Sequence, residues 1–124
     1  MLAARVEGVW VSSLRRRRIP RGEREKRMAE FLVHIRVNWP ADGDEGLKSR
    51  LVSAETVRAG ELVSAGKIRR LWRVPGRWEN WGVWDAGDAT ELHSLIISLP
   101  FFPWLSVDVM PLANHPSDPG GESP

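Results

Sequence analysis

The order of hydrophobic patterns along the chain constrains the fold most. Residues 31–38, "FLVHIRVN", alternate apolar and polar side chains, which predicts a strand with one buried face. Two later segments space their leucines as a helix does, and each begins at an aspartate. Three further short segments alternate as strands, and a turn at Pro75–Gly76 joins the first two. The predicted elements are helices at 44–65 and 88–99 and strands at 67–75, 77–85 and 104–110.

This β-α-β-β-α-β order predicts an α+β fold of the ferredoxin-like kind. A four-stranded antiparallel sheet then carries two helices on one face, and its other face stays bare. Large apolar side chains on a bare face favour association of several copies of the chain. Five of the seven tryptophans lie in residues 71–104. We expect most of them in the core or between subunits, and a minority at a ligand pocket.

The distribution of charge separates an N-terminal arm, residues 1–27, from the rest of the chain. Residues 1–27 hold nine basic and three acidic side chains, whereas residues 28–124 hold nine basic and thirteen acidic ones. The arm has few apolar residues, so we expect a disordered basic extension. Met28 opens the first strand pattern and can be the true start, in which case the arm is a mis-called start. The predicted domain is 28–115, followed by a disordered tail at 116–124.

Composition excludes several classes of site. The chain has no cysteine, which excludes disulfides and thiolate metal sites and agrees with the cytoplasmic location that we expect. Its three histidines show no metal-ligand spacing, and no glycine-rich phosphate loop occurs. No run of about 18 apolar residues predicts a membrane helix. We expect neither a membrane nor a nucleic-acid partner, although nucleic-acid binding by the basic arm remains an alternative.

One carboxylate and several arginines are candidates for chemistry. Glu55 lies at the edge of the apolar stripe of the long helix, where partial burial would raise its pKa toward that of a useful base. Arg50, Arg58 and Arg73 are candidates to bind an anionic substrate, because guanidinium matches a carboxylate in two hydrogen bonds. Trp72 is a candidate flat wall for the ligand.

Each of these side chains also has a purely structural interpretation. Glu55 and Arg58 are spaced as a surface ion pair on a helix. Arg58 can also extend from the apolar stripe into solvent. Arg73 can pair with Glu79 across the predicted hairpin. His34 is more often a surface strand residue than a catalytic one.

Several blocks of the sequence resemble the muconolactone delta-isomerase family. The blocks are "FLVHIRVNWP", "AE" at 54–55, "AGKIRRLWRV", "WENWGVWD" and "ELHSLIISLPFFPWLSVDVMPLANHPSD". They follow one another over about ninety residues, from Glu30 to Pro116, and this ordered series is more specific than any single motif in the chain.

The resemblance implies an activity and an assembly. Members of the family convert (+)-muconolactone to 3-oxoadipate enol-lactone in the catechol branch of the 3-oxoadipate pathway, by a 1,3-proton shift that needs no cofactor. Their fold is ferredoxin-like, and they assemble into large rings, typically decamers. The partners expected from this resemblance are a lactone carboxylate and further copies of the same chain.

The resemblance also assigns residues. Glu55 corresponds to the helix glutamate of the family and is expected to move the proton. Arg50 matches a basic position that would bind the acetate arm of the lactone. Arg73, His34 and Asn80 match positions expected to line the pocket.

Three departures from the family pattern leave alternatives open. Ala54 stands where relatives can carry a second acid, and Arg58 stands where a neutral or aromatic residue is expected. Several aromatic positions of the family are tryptophan here. A substituted lactone, with a methyl or chloro group, or another small acid derived from an aromatic compound, is therefore the alternative substrate of a cofactor-free enzyme with this fold.

Overall fold

The computed structural model describes residues 28–121, and its elements follow the predicted order. The strands are β1 (Ala29–Val37), β2 (Ile68–Arg73), β3 (Glu79–Ala86) and β4 (Leu105–Leu112), and the helices are α1 (Glu45–Ser64) and α2 (Ala89–Ile97). A short 3-10 helix, Phe102–Trp104, precedes β4, so the last strand begins one residue later than predicted and ends two residues later. The predictions for residues 1–27 lie outside the described part of the chain.

The sheet has the strand order β2-β3-β1-β4, and all neighbouring strands are antiparallel. Both helices cover the same face, because buried residues of each pack with one face of the central strand. The core contains Phe31, Val33 and Ile35 from β1, Leu62 from α1, and Leu92 and Ile96 from α2. The predicted ferredoxin-like α+β fold is confirmed, and β1 and β3 form the floor beneath the helices.

The helix ends follow the predicted signals. The Asp44 side chain accepts a hydrogen bond from the Leu47 amide at 2.7 Å, which satisfies one of the free donors at the start of α1. The chain leaves α1 through Gly66, whose φ of 75° requires the left-handed region that glycine tolerates best. These two ends fix where α1 begins and stops, and so which of its side chains face the sheet.

A β-bulge in β2 changes which side chains of that strand share a face. Ile68 pairs with Trp84, but the next pair is Arg70 with Val83, so Arg69 is the extra residue. Strict alternation along the strand would place Ile68 and Trp72 on one face. After the bulge the alternation is reversed, so Ile68 shares the helix-covered face with Leu71 and Arg73, while Trp72 points to the open face.

The segment after β4 contains turns but no further helix or strand up to residue 121. The amide of Asp118 donates to the carbonyl oxygen of His115, and that of Gly121 donates to the carbonyl oxygen of Asp118. Disorder of 116–124 stays a prediction. In residues 28–121, no helix is long and apolar enough to cross a membrane, and no group of three or more potential ligands is arranged to hold a metal ion.

Candidate active site

A cavity of about 220 Å³ lies between α1 and the helix-covered face of the sheet. Its walls are mostly apolar, and four polar residues, Glu55, Thr56, Arg73 and Asn80, interrupt them. The apolar lining consists of Ile35, Val37, Val52, Ala59, Ile68, Leu71, Trp78, Trp84, Leu99, Phe101 and Leu105. An apolar cavity with a few converging polar groups is the usual form of a small-molecule site.

Glu55 enters the cavity from α1 and is half-buried. Its Oε1 accepts a hydrogen bond from the backbone N–H of Phe101 at 3.1 Å. Burial raises the pKa of Glu55 above its usual value, and the Phe101 hydrogen bond opposes that rise only in part. No cation pairs with this carboxylate among residues 28–121. The site therefore holds a carboxylate that binds a proton more readily than an exposed glutamate does.

Arg73 and Asn80 enter the same cavity from the sheet, where they are directly opposite each other on β2 and β3. The Arg73 guanidinium makes no ion pair within the described chain. The predicted alternative partner, Glu79, is instead bonded to His34 at 3.1 Å and lies 3.6 Å from Arg77, so the prediction of an Arg73–Glu79 pair is wrong. The side-chain oxygen of Asn80 is buried without a partner.

Arg58 and Arg50 lie outside the cavity. Arg58 donates to Ser98 at 3.0 Å and to Glu61 at 2.9 Å, so it joins α1 to the end of α2. The structural alternative of a Glu55–Arg58 ion pair is therefore wrong, because each side chain has other partners. Arg50 is exposed on α1 and does not line the cavity.

His34 and Trp72 lie across the sheet from Glu55. His34 stacks on Trp81 with ring centroids 4.3 Å apart and an angle of 9° between the planes. Trp72 is directly opposite Trp81 in the sheet and is 45% exposed. Trp72 was expected to form a wall of the pocket, but the bulge at Arg69 turns it to the open face of this chain. The structure thus gathers Glu55, Arg73 and Asn80, and leaves the other four candidates elsewhere.

The sequence did not identify several residues that build this cavity. Trp78 and Trp84 form aromatic walls, whereas the tryptophan singled out for that role was Trp72. Phe101 contributes a backbone donor, and backbone groups have no signature in residue type. Its one local signal is the proline pair, Pro100 and Pro103, which ends α2 and forces a tight connection near α1.

These features define a ferredoxin-like domain with a ligand-sized cavity between its long helix and the sheet. The cavity combines a carboxylate with a raised pKa, a guanidinium that has no ion pair among residues 28–121, and a side-chain amide whose oxygen is buried. The family model described as muconolactone delta-isomerase matches residues 29–118. The chain belongs to the muconolactone delta-isomerase family, as the sequence blocks had indicated.

Individual relatives also indicate the muconolactone delta-isomerase family. The chain is 35% identical over 91 residues to the muconolactone delta-isomerase of Rhodococcus opacus, covering 73% of this chain and 98% of the relative. It is 38% identical over 87 residues to the muconolactone delta-isomerase of Cupriavidus pinatubonensis, and the match covers 70% of this chain and 95% of the relative. The crystal structure of muconolactone isomerase superimposes with a TM-score of 0.70 at 32% identity, covering 77% of this chain and 99% of that chain.

Proposed function

We propose that this chain is an isomerase that converts (+)-muconolactone to 3-oxoadipate enol-lactone by moving a carbon–carbon double bond. One observation carries the proposal: the half-buried carboxylate of Glu55 shares an apolar cavity with the guanidinium of Arg73, which has no ion pair in the described part of the chain. Membership of the muconolactone delta-isomerase family supports the same substrate. The relevant chemistry needs a base that also returns a proton, and a cation for the acetate arm.

Glu55 serves as the proton carrier. Muconolactone is a five-membered unsaturated lactone, and the carboxylate removes the ring proton next to the acetate arm. The electron pair moves to the lactone carbonyl as a dienolate, and the same carboxyl group returns the proton two carbons away. A raised pKa suits both steps, because it strengthens the base and allows the acid to exist long enough to return the proton.

Arg73 and Asn80 hold the substrate and its developing charge. Arg73 is the cavity's one cation among the described residues, so it binds the acetate arm in preference to Arg50 or Arg58. The side-chain N–H of Asn80 donates a hydrogen bond to the carbonyl oxygen of the lactone, where negative charge increases in the dienolate. A hydrogen-bond donor held by the cavity wall lowers the barrier, because less water has to reorganise during the reaction.

The tryptophan walls favour a second candidate substrate. Trp78 and Trp84 line the cavity, and wide flat walls suit a lactone that carries a methyl or chloro group. Comparison of kcat/KM for the unsubstituted and substituted lactones distinguishes the two substrates. A higher value for a substituted lactone makes that compound the preferred one and leaves the proton shift unchanged.

Copies of the chain associate through the open face of the sheet. Trp72, Trp81 and Met110 are 45%, 41% and 60% exposed there, and exposed apolar surface of this kind is typical of subunit contacts. A ring of ten subunits is the proposed assembly, and a cytoplasmic location is proposed with it. Analytical ultracentrifugation measures the mass of the assembly, and a monomer at micromolar concentration would contradict this part of the proposal.

The activity is tested with the full chain, muconolactone and ultraviolet detection of the enol-lactone. Glu55→Gln removes the base while keeping the size of the side chain, so kcat should fall by about 100- to 10,000-fold. Glu61→Gln is the matched control, because Glu61 lies on the same helix but is exposed and bonded to Arg58. Full turnover in Glu55→Gln would contradict the assigned base, and no turnover of any lactone by the folded parent would contradict the function.

A further inference from the structure

Four aromatic rings pack together at one side of the cavity, and two of them also line it. We call Trp39, Trp78, Phe101 and Trp104 the aromatic cluster. The Phe101 ring is central, with its centroid 5.2 Å from that of Trp78, 6.0 Å from that of Trp39 and 6.3 Å from that of Trp104, all at steep angles. Edge-to-face contacts of this kind restrict a ring in both position and orientation. Phe101 is only 2% exposed, so the cluster fixes it firmly.

Fixing the Phe101 ring also fixes its backbone. The carbonyl oxygen of Phe101 accepts from the Trp104 amide at 2.8 Å, and the next amide, that of Phe102, donates to the carbonyl oxygen of Leu99 at 2.9 Å. The backbone N–H of Phe101 is left to donate to Oε1 of Glu55 at 3.1 Å. The aromatic cluster is therefore connected to the carboxylate through a single hydrogen bond.

That hydrogen bond makes the two carboxylate oxygens of Glu55 different. Oε1 is occupied by the Phe101 amide, whereas Oε2 has no hydrogen-bond partner among residues 28–121. We propose that the aromatic cluster positions Glu55 through the Phe101 amide, and that Oε2 is the atom that removes and returns the substrate proton. This inference rests on the proposed function, and it assigns positioning roles to residues that no comparison identifies.

Gly43 offers a way to disturb the cluster from outside the cavity. A Cβ at residue 43 would lie 2.5 Å from Nε1 and 2.7 Å from Cε2 of Trp39, which is far closer than side chains tolerate. In Gly43→Ala the Trp39 indole must move, and its contact with Phe101 moves with it. Gly43 does not line the cavity, so the substrate contacts of Arg73 and Asn80 are left unchanged.

Few charged groups face Glu55, so a change in its pKa reports specifically on the hydrogen bond from the Phe101 amide. Arg73 approaches from β2, and the connection from Leu99 to Leu105 brings no charge. On α1 itself, Arg58 is held by Ser98 and Glu61, and the Lys48 ammonium lies 5.3 Å from the Trp78 ring centroid. The Phe101 hydrogen bond favours the ionised form, so its loss must raise the pKa of Glu55 further.

The experiment compares Gly43→Ala and Trp39→Phe with the parent chain. The pKa of Glu55 is measured by NMR of its side-chain carboxyl carbon, and kcat and KM are measured with muconolactone. We expect a higher Glu55 pKa in both variants, a fall in kcat of about 10- to 100-fold in Gly43→Ala, and KM within about twofold. Gly60→Ala and Phe102→Ala are the controls, because residue 60 has open space around it and Phe102 is exposed outside the cluster.

The outcomes separate this inference from the proposed function. An unchanged Glu55 pKa in both folded variants overturns the positioning role, whatever the activity is. If Gly43→Ala does not fold, Trp39→Phe decides, since it keeps a ring and introduces no clash. If Glu55→Gln keeps full activity, the proposed base is wrong, but a pKa shift in the two cluster variants still supports the link between cluster and carboxylate.

Discussion

Replacing Arg73 by glutamine should weaken substrate binding more than it slows the chemical step. Arg73 lines the cavity opposite Asn80 and has no competing ion pair in the described part of the chain. The reacting carbons lie near Glu55 in the proposed complex, whereas Arg73 contacts the acetate arm in both the ground state and the transition state. Uniform binding of that kind appears mainly in KM.

The size of the effect follows from the type of contact. A hydrogen bond to a charged group contributes about 1.5 to 3 kcal/mol, and each 1.4 kcal/mol corresponds to about tenfold in an equilibrium constant. Because Arg73 is exposed at the cavity rim, solvent and salt weaken its attraction, so the lower part of that range applies. We expect KM to rise by about 10- to 30-fold in Arg73→Gln, with kcat within about threefold.

Steady-state kinetics at two ionic strengths tests this expectation. The parent KM should rise with salt, because dissolved ions weaken the attraction between an exposed guanidinium and a carboxylate, whereas the KM of Arg73→Gln should hardly change. Arg73→Lys should fall between the two, because an ammonium keeps the charge but loses the paired hydrogen bonds. Arg77→Gln is the matched control: Arg77 lies in the same hairpin, 69% exposed and outside the cavity.

One result would refute the assignment of the acetate arm to Arg73. If Arg73→Gln keeps KM within twofold of the parent while Arg50→Gln raises it tenfold, then the exposed arginine of α1 binds the substrate. The cavity described between α1 and the sheet would then not be the place where the acetate arm lies.

Three further predictions follow from Glu55 and from the floor of the cavity. Glu55 must be ionised to act as a base, so kcat/KM should fall as pH drops through the pKa of Glu55. A pH–rate profile should place this fall above the pH range in which an ordinary glutamate titrates. Because the folded-state pKa is raised, the carboxyl stabilises the fold only when protonated, and this contribution is lost as pH rises through that pKa. Thermal unfolding of Glu55→Gln should therefore give a higher Tm than the parent at neutral pH and a smaller difference near pH 4; a lower Tm at neutral pH would contradict the raised pKa. Gly82→Ala should destabilise the chain by about 1 to 3 kcal/mol in urea unfolding, because the added Cβ would lie 2.8 Å from Leu71 and 3.1 Å from Trp84; no loss would show that β2 and Trp84 move apart easily.

The sequence predicted the fold well because each element carries its own periodic signal. Alternation in β1 and leucine spacing in α1 and α2 are local properties, and the predicted aspartates, Asp44 and Asp88, are the N-cap residues of the two helices. The resemblance to a family assigned five site residues: Glu55, Arg50, Arg73, His34 and Asn80. The structure brings Glu55, Arg73 and Asn80 together in one cavity and leaves Arg50 and His34 outside it.

The remaining details of the site depend on contacts between distant residues. The bulge at Arg69 is defined by the register between β2 and β3, so alternation along β2 alone assigned Trp72 to the wrong face. One of the two partners of Arg58, Ser98, is forty residues away at the end of α2, and no spacing rule on α1 indicates it. The Phe101 donor belongs to the backbone, so residue type does not identify it.

Two charged side chains, Arg58 and Glu55, interrupt the inward side of α1, and they differ in the partners that they have. Arg58 is fully engaged, with Ser98 and Glu61 as partners, so its position is explained by the packing of α1 against α2. Glu55 receives one backbone hydrogen bond, keeps one free oxygen and has no cationic partner in residues 28–121. Asp85 is also buried, but Arg69 lies 3.0 Å from its carboxylate and compensates its charge. Burial of a carboxylate without a compensating charge costs stability, so a buried carboxylate of this kind beside a cavity is a candidate functional group. This contrast, rather than the presence of an acid on a helix, makes Glu55 the residue to test first.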